Sequence, residues 1–441
     1  MDFSDLREEV EQRARKYLVP GAQLVIDRPG ETVSIAVGTA EYGTGREVTG
    51  ESRFPVGSVT KAFTATLAMQ LVADGELALD LPLTEYLPEL TGSGHDNFAG
   101  VTLRRLLSHT AGIVCDHEQS VRGSRSLRGL AAACRELEPL HPPGRFFSYS
   151  NIGYGLIGCL IEKTSRENWW DLIEEFTLGP LGVDPAWVVD PRAGRPAPGI
   201  VSGHTVGSGR DEVRPVDVRI PAVWAPAGAL ALSAEDVVEL ARGHYRTSRH
   251  GLLGPSETAE MHNAVDGAEP FGFADGWGLG FALFDSGSSR WIGHEGTTGG
   301  STCNLRVEPA SDMAVVLTTN ATSGQMLWDD IVPVLRERGL DVGSYSPRRP
   351  SSSIPAGSVD CLGEYRNGEL FWTLTRQGAG LILTDETGAR DEVALCDGLL
   401  LRADKGGVVG RLLRDGKTGE ITYGQVEGRL FRRRHIVGKD R

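Results

Sequence analysis

The chain has 441 residues, of which 40% are hydrophobic and 24% charged, and a formal net charge of −14. Those values fit a soluble globular protein of about two to three domains. The acidic balance argues against a general affinity for nucleic acid or anionic membrane, and there is no 18-residue apolar run to span a bilayer.

Residues 4–18 predict an amphipathic helix with Leu6, Val10 and Ala14 along one side. The same stretch is charged from its second residue and lacks the apolar core of a secretory signal, so a cytoplasmic location is expected. Ala22–Ile26 and Thr32–Val37, separated by Arg28-Pro29-Gly30, predict a β-hairpin. A helix beginning near Ser58 stops at Asp74-Gly75. Further helices are expected at 103–108, 126–137, 152–164, 168–176 and 233–246, among loops rich in glycine and proline. Strands at 290–293, 302–308 and 313–319 then precede a helix at 325–338. This order predicts an α+β catalytic domain over 1–343: an antiparallel sheet built from both ends, flanked by terminal helices, with a large helical insertion. Residues 344–358 are rich in proline and serine and read as a linker. From 359 to 441, short alternating runs punctuated by Gly, Asp and Asn predict a small all-β domain of meander or barrel type. The basic run Arg432-Arg433-Arg434 reads as a solvated strand end. The six cysteines are scattered without metal spacing and read as reduced structural thiols.

Three short segments carry candidate chemistry. In Ser58-Val59-Thr60-Lys61 the only serine standing three residues before a lysine is found. On a helix, i and i+3 share a face, so an amine can reach a hydroxyl and take its proton. By itself such a pair is about as expected from chance as from chemistry. In Tyr149-Ser150-Asn151 a tyrosine and an asparagine two residues apart can point the same way, the first to pass a proton and the second to orient Lys61 and a substrate amide. The plainer reading of Ser150 and Asn151 is a helix cap. In His294-Glu295-Gly296-Thr297, Gly296 would admit a substrate backbone, and the Thr297 amide would form an oxyanion hole with that of Ser58. A metal set of His109, Asp116, His117 and His141 has no spacing to support it, and His109 reads as a buried residue at a helix end. Trp169-Trp170 reads as packing.

In the order SxxK, YxN, HxG these segments resemble the serine β-lactamase and penicillin-binding-protein superfamily, especially its class C-like branch. The surrounding residues extend the resemblance: Phe54-Pro55-Val56-Gly57 before Ser58, Leu106-Leu107-Ser108-His109-Thr110-Ala111-Gly112, Pro226-Ala227-Gly228-Ala229-Leu230, and Gly276-Trp277-Gly278-Leu279-Gly280. It spans about residues 5–340. Leu362-Gly363-Glu364-Tyr365 resembles the lipocalin-like β-domain appended to some members. The resemblance implies a β-lactamase/transpeptidase-like fold and acyl transfer through a Ser58 ester. Lys61 would be the base, Tyr149 or Lys61 the proton donor to the leaving group, and Asn151 and His294 further site residues. Gly228, Gly296, Thr297 and Ser58 would line the oxyanion and substrate site. His294 stands where many members carry the lysine of a KTG motif, a departure that weakens a carboxylate-clamping site. No metal or organic cofactor is implied.

Within the family the chain looks most like the stand-alone penicillin-binding-protein-type thioesterases. These take a peptidyl thioester from the phosphopantetheine arm of a carrier protein and close it head to tail in nonribosomal peptide biosynthesis. A cytoplasmic esterase or D-stereospecific amidase is the alternative; a D-Ala-D-Ala carboxypeptidase or β-lactamase would require export. A catalytically silent scaffold is a different class of protein, and the presence of Ser58, Lys61, Tyr149 and Asn151 argues against it.

Overall fold

The computed structural model describes residues 3–91, 97–188, 199–207, 212–218, 220–245, 251–287, 289–347, 350–378, 380–403 and 407–434. Its organising element is a seven-stranded antiparallel sheet. The strands are β1 (Gly21–Arg28), β2 (Glu31–Gly38), β3 (Gly276–Trp277), β4 (Ala282–Ser286), β5 (Ser289–Thr298), β6 (Ser301–Glu308) and β7 (Met313–Thr319), in the order β2-β1-β7-β6-β5-β4-β3. The hairpin β1–β2 turns at Pro29-Gly30, with Arg28 opposite Glu31 and Gly30 at φ +81. Pro29 presets its own φ and glycine meets the positive φ without strain, so the turn is locally encoded.

Both ends of the catalytic region meet in the sheet centre, where β1 pairs with β7 (Leu24 opposite Leu317). The terminal helices α1 (Leu6–Lys16) and α6 (Gly324–Glu337) cover one face, with Leu6, Val10, Leu327, Trp328 and Ile331 packed on Leu24, Ile26, Val315 and Leu317. The other face receives α2 (Thr60–Ala73), α3 (Leu103–Leu107), α4 (Leu127–Cys134), α5 (Asn151–Ser165) and their connections. Several helices are shorter than their periodicity predicts. The expected helix from Ser58 begins as a 3₁₀ turn over Gly57–Val59 and becomes α-helical at Thr60. The segment 168–176 is α-helical only over Trp169–Ile173 and widens into a π-turn at Glu174–Leu178. Trp169 is buried against Trp170 and Trp187, as packing predicts. Among the described residues no helix is long and apolar enough to cross a membrane.

Residues 363–434 form a closed eight-stranded meander barrel: β8 (Gly363–Asn367), β9 (Leu370–Gln377), β10 (Gly380–Asp385), β11 (Arg390–Cys396), β12 (Leu400–Ala403), β13 (Val408–Arg414), β14 (Ile421–Val426) and β15 (Arg429–Arg434), closed by β8 pairing with β15. Closure removes the sheet edges. The described part of 344–358 is irregular but not a free spacer. Ser351 and Ser352 donate backbone N–H bonds to Asp397 Oδ1 at 2.9 and 3.0 Å, and Ile354 N–H donates to Leu395 O at 2.7 Å. The solvated reading of Arg432–Arg434 holds for its outer members only. Arg433 is buried, and its guanidinium meets Asp360 Oδ1 at 2.5 Å and the Asp360, Leu362 and Ile421 carbonyls. The cause is strand alternation, which turns every second side chain toward the barrel.

The barrel docks on the helical face through buried amides. Asn367 accepts from Cys115 N–H at 2.8 Å and donates to Leu430 O at 2.8 Å and Ser148 Oγ at 3.2 Å. Gln425 donates to Phe147 O and Glu269 O. Replacing Asn367 with Ala would strand the Cys115 amide in a dry interface. Asn367→Ala is expected to cost about 1–3 kcal/mol, measured by chemical denaturation; a change under a few tenths of that would mean the interface is wet or loosely held.

Candidate active site

Helix α2 is apolar on every side, and Thr60 to Met69 are buried. Such a helix belongs in the centre of a domain, which takes Lys61 with it: the side chain is 0% exposed. Helical side chains lean toward the N-terminus, so the amine returns to the turn that holds Ser58. Lys61 Nζ lies 2.9 Å from Ser58 Oγ and donates to Ala227 O at 2.9 Å. It also stands 4.9 and 5.5 Å from the ring centroids of Tyr149 and Tyr154. Burial pulls its pKa down to about 7; Asp116 opposes that and Arg429 adds to it. A large share of the amine is therefore neutral at physiological pH, and its lone pair can accept the Ser58 proton.

Tyr149 immediately precedes α5. Ser150 caps that helix, accepting from Gly153 N–H at 3.0 Å, so the cap reading and the site reading both hold within one tripeptide. The Tyr149 phenol hydrogen-bonds Ser58, while burial pushes its pKa well above the ordinary phenol value. It therefore stays protonated and can donate, whereas Lys61 can accept. The His109 ring packs 4.3 Å from that of Tyr149, and its Nδ1 accepts from Ser150 N–H at 3.1 Å. It is the buried residue at a helix end that the sequence predicts. No metal-ligating cluster of three occurs among the described residues.

Asn151 departs from its expected role of orienting Lys61. Its Nδ2 donates to Asp116 Oδ1 at 2.9 Å, and Asp116 Oδ2 accepts from the Cys115 thiol at 3.0 Å. As the first residue of α5 it is turned toward the 115–116 segment, which carries the anion that acts on Lys61. Asn151 thus positions Asp116, a residue raised in the sequence reading only as part of a metal set that its spacing does not support.

Gly296 also departs from expectation. A Cβ there would fall onto Val56 O and lie 3.0 Å from Ser58 N, so its missing side chain admits the nucleophile turn and not a substrate backbone. Gly57 (φ +52) is its counterpart, since a Cβ at Gly57 would stand 2.8 Å from the Thr297 backbone. These two glycines bring β5 against the Ser58 turn and set the Thr297 and Ser58 backbones side by side, the arrangement an oxyanion hole requires. Gly228 lies behind Gly57, at ordinary contact distance, and outside the lining of the Ser58 cavity. Its neighbour Ala227 makes the relevant contact, through the carbonyl that holds Lys61.

His294 is 1% exposed. Its Nδ1 lies 2.7 Å from Glu295 O, and since a carbonyl only accepts, Nδ1 carries the proton. Nε2 is left as a buried acceptor with no partner among the described residues. Burial, then Lys61, lowers the His294 pKa to about 3. Where a KTG lysine would put a cation, this chain puts a neutral acceptor.

The cavity beside Ser58 measures about 570 Å³ and is bounded by Tyr149, Phe273, Trp277, His294, Thr297 and, from the barrel, Glu427 and Arg429. Glu427 opens the two-residue turn between β14 and β15, with Glu427 at φ +45 and Gly428 at φ +66, and Arg429 is the first residue of β15 after it. Tyr149 N–H donates to Gly428 O at 3.0 Å, and Gly428 N–H to Phe271 O at 2.8 Å. Arg429 Nε lies 3.2 Å from Cys115 Sγ, and its guanidinium 5.8 Å from the Tyr149 centroid. Burial pushes the Cys115 thiol up to about 12 and keeps it neutral, and Arg429 forms no ion pair among the described residues. The hairpin, Arg429 and the positioning role of Asp116 are all missing from the sequence reading. A glycine after Glu427 signals a turn, but nothing local reports that the turn reaches Tyr149, 279 residues earlier.

A family-wide sequence pattern described as Beta-lactamase matches residues 6–335. Penicillin-binding protein 4 of Amycolatopsis lactamdurans is 33% identical over 338 residues, covering 75% of this chain and 88% of the relative. The crystal structure of SurE superposes with a TM-score of 0.87 at 39% identity, over 97% of this chain and 98% of that one. SurE with D-Leu superposes at 0.84 and 38%, over 97% and 99%. A D-stereospecific amidohydrolase from Streptomyces sp. gives 0.61 at 25%, over 75% of this chain and 98% of that one.

Two outcomes follow from the geometry. Gly296→Ala is expected to slow Ser58 acylation by about 10²–10³-fold by driving β5 off the nucleophile turn, while circular dichroism stays unchanged; full activity would mean that the Thr297 amide does not hold the oxyanion. Because the neutral form of Lys61 is the active one, kcat/KM should rise about tenfold per pH unit below 7 and level off above it. A flat profile from pH 5 to 8 would exclude an amine with that pKa as the base.

Proposed function

We propose that this chain, which belongs to the beta-lactamase family, is a serine acyltransferase that closes a peptidyl thioester head to tail. In the first half-reaction Ser58 Oγ attacks the thioester carbonyl as Lys61 takes the hydroxyl proton. The oxyanion lies against the Ser58 and Thr297 amides. Collapse breaks the C–S bond, and the thiolate leaves with the proton of the Lys61 ammonium, passed directly or through Tyr149, so that Lys61 is neutral again. In the second half-reaction the peptide's own amine attacks the Ser58 ester, Lys61 accepts a proton from it, and the C–O bond breaks as Lys61 returns that proton to Ser58 Oγ, releasing the cyclic amide. Both halves need one base near neutrality and one protonated donor, which fit Lys61 and Tyr149.

The observation that carries this reading is the barrel turn at Glu427–Arg429, which walls the Ser58 cavity. An acyl-enzyme must outlast water if an amine is to reach it, and a walled cavity rimmed by Phe273 and Trp277 limits water. The whole-chain likeness to SurE, barrel included, and the D-Leu bound in one SurE structure support a D-configured residue at the acyl end. A D-stereospecific amidase is the second reading, favoured by the amidohydrolase from Streptomyces sp., whose likeness covers 75% of this chain. Water would then replace the amine in the same Ser58 chemistry. The substrate in either case arrives without a metal or organic cofactor in the protein, and in the first on the phosphopantetheine arm of a carrier protein.

Incubation with a peptidyl thioester ending in a D-residue, followed by mass spectrometry, separates the readings. Cyclic product that disappears in Ser58→Ala is expected. Linear acid alone would favour the amidase or esterase, and absence of any acyl-Ser58 would remove both.

A further inference from the structure

Residues 269–273 run along the Ser58 cavity, which Gly272 and Phe273 bound, and the barrel holds them there. Gln425 Nε2 donates to Glu269 O at 3.1 Å, and Arg411 pairs with the Glu269 carboxylate at 3.1 Å. The same guanidinium lies 5.0 Å from the Phe271 centroid, and Phe271 O accepts from Gly428 N–H at 2.8 Å. At the end of the loop the Phe273 ring meets that of Tyr149 edge to face, the centroids 5.7 Å apart. The other aromatic walls, Trp277 and Phe284, are buried on strands β3 and β4. Phe273 is half-buried on a loop, so its place depends on what grips that loop.

Gly428 lets the ring sit where it does. A Cβ on Gly428 would have the Phe273 ring as its nearest neighbour, with three ring atoms at 2.5, 2.6 and 2.9 Å. Carbon atoms in contact prefer about 3.5–4.0 Å, so any side chain there displaces the ring. On its other side the Gly428 carbonyl holds the Tyr149 N–H. One glycine of the barrel thus touches both the backbone of the proton donor and the one aromatic wall that a loop supplies.

We propose that Phe273, seated by Gly428, selects the nucleophile that resolves the Ser58 ester, excluding water in favour of the peptide's own amine. The proposal rests on the cyclase reading above and names the residues that make the choice. Lys61 cannot make it. If water attacks the ester carbonyl, Lys61 takes a proton from it, the C–O bond breaks as that proton returns to Ser58 Oγ, and linear acid leaves. The amine route uses the same base and the same proton return, so discrimination falls to access. An amine on the acyl chain is already inside the site, whereas water must enter from solvent. Against an aromatic wall an entering water finds no hydrogen-bond partner. Phe273 is then a specificity-determining residue and Gly428 a positioning residue that acts through it.

The test reads products. A peptidyl N-acetylcysteamine thioester ending in a D-residue is given to wild type, Phe273→Ala, Gly428→Ala and the double variant. Released thiol counts acylations, and mass spectrometry gives the cyclic-to-linear ratio, corrected for enzyme-free hydrolysis. That ratio is set after Ser58 is acylated, so partial unfolding or a slower first half-reaction lowers thiol release without moving it. Wild type should give mainly cyclic product. Phe273→Ala should lower the ratio at least about fivefold. Gly428→Ala should lower it as well, and should add less than about twofold when the Phe273 ring is already gone. An unchanged ratio in Phe273→Ala would overturn the proposal while leaving the cyclase reading intact, and that variant alone decides if Gly428→Ala does not fold. A Gly428→Ala effect that is absent, or that persists in full without the ring, would overturn the seating role of Gly428. Linear acid alone from wild type would remove the cyclase reading, and the selection by Phe273 with it.

Discussion

An amine held out of water is the constraint on which the rest of the site depends. Among the described residues Lys61 has two partners in hydrogen-bond range, the Ala227 carbonyl and the Ser58 hydroxyl, and no carboxylate bonds it. A fully charged ammonium in that position would be strongly disfavoured. The protein meets this by letting the amine lose its proton near neutrality, and that neutral form is the one Ser58 requires. The fold supplies the burial: α2 is packed between the sheet and the helical region, with hydroxyls of Thr60 and Thr64 satisfied locally by Leu230 N–H and Pro226 O. Nearby titratable groups take their states from the same burial. Tyr149 stays a phenol, His294 stays a neutral acceptor, and Cys115 stays a thiol.

Around that amine the architecture is a matter of close approach. Gly57 and Gly296 let strand β5 and the nucleophile turn meet backbone to backbone, and the turn at Gly428 lets the barrel reach Tyr149. The barrel is therefore part of the site and not a passive appendage. Its β14–β15 turn bonds the residue next to the helix cap, and its Asn367 bonds the segment that carries Asp116. Reaction chemistry and domain docking share the same short stretches, 115–116 and 148–151.

Local features were legible in the sequence, and contacts between distant segments were not. Pro29-Gly30 encodes its turn through φ preferences, and Ser58 and Lys61 declare their proximity through helical spacing. The antiparallel sheet and the terminal β-barrel follow from element order and turn spacing. Gly296 was legible as a place of close approach, but alternation does not say what approaches; the partner is Val56, 240 residues earlier. Asn151 was legible as a polar residue beside Tyr149, yet its partner Asp116 comes from a loop with no motif. The Arg432–Arg434 run looked like three equivalent charges, and strand alternation divides it into two exposed residues and one buried against Asp360.

The central claim is that Lys61 is an amine of lowered pKa beside Ser58, and it is open to direct observation. The chain holds six lysines, few enough for each side-chain signal to be followed by NMR in protein labelled at lysine Cε or Nζ. One signal, absent from Lys61→Met, should titrate near pH 7. A Lys61 signal that stays charged to about pH 10, the ordinary lysine range, would contradict the account.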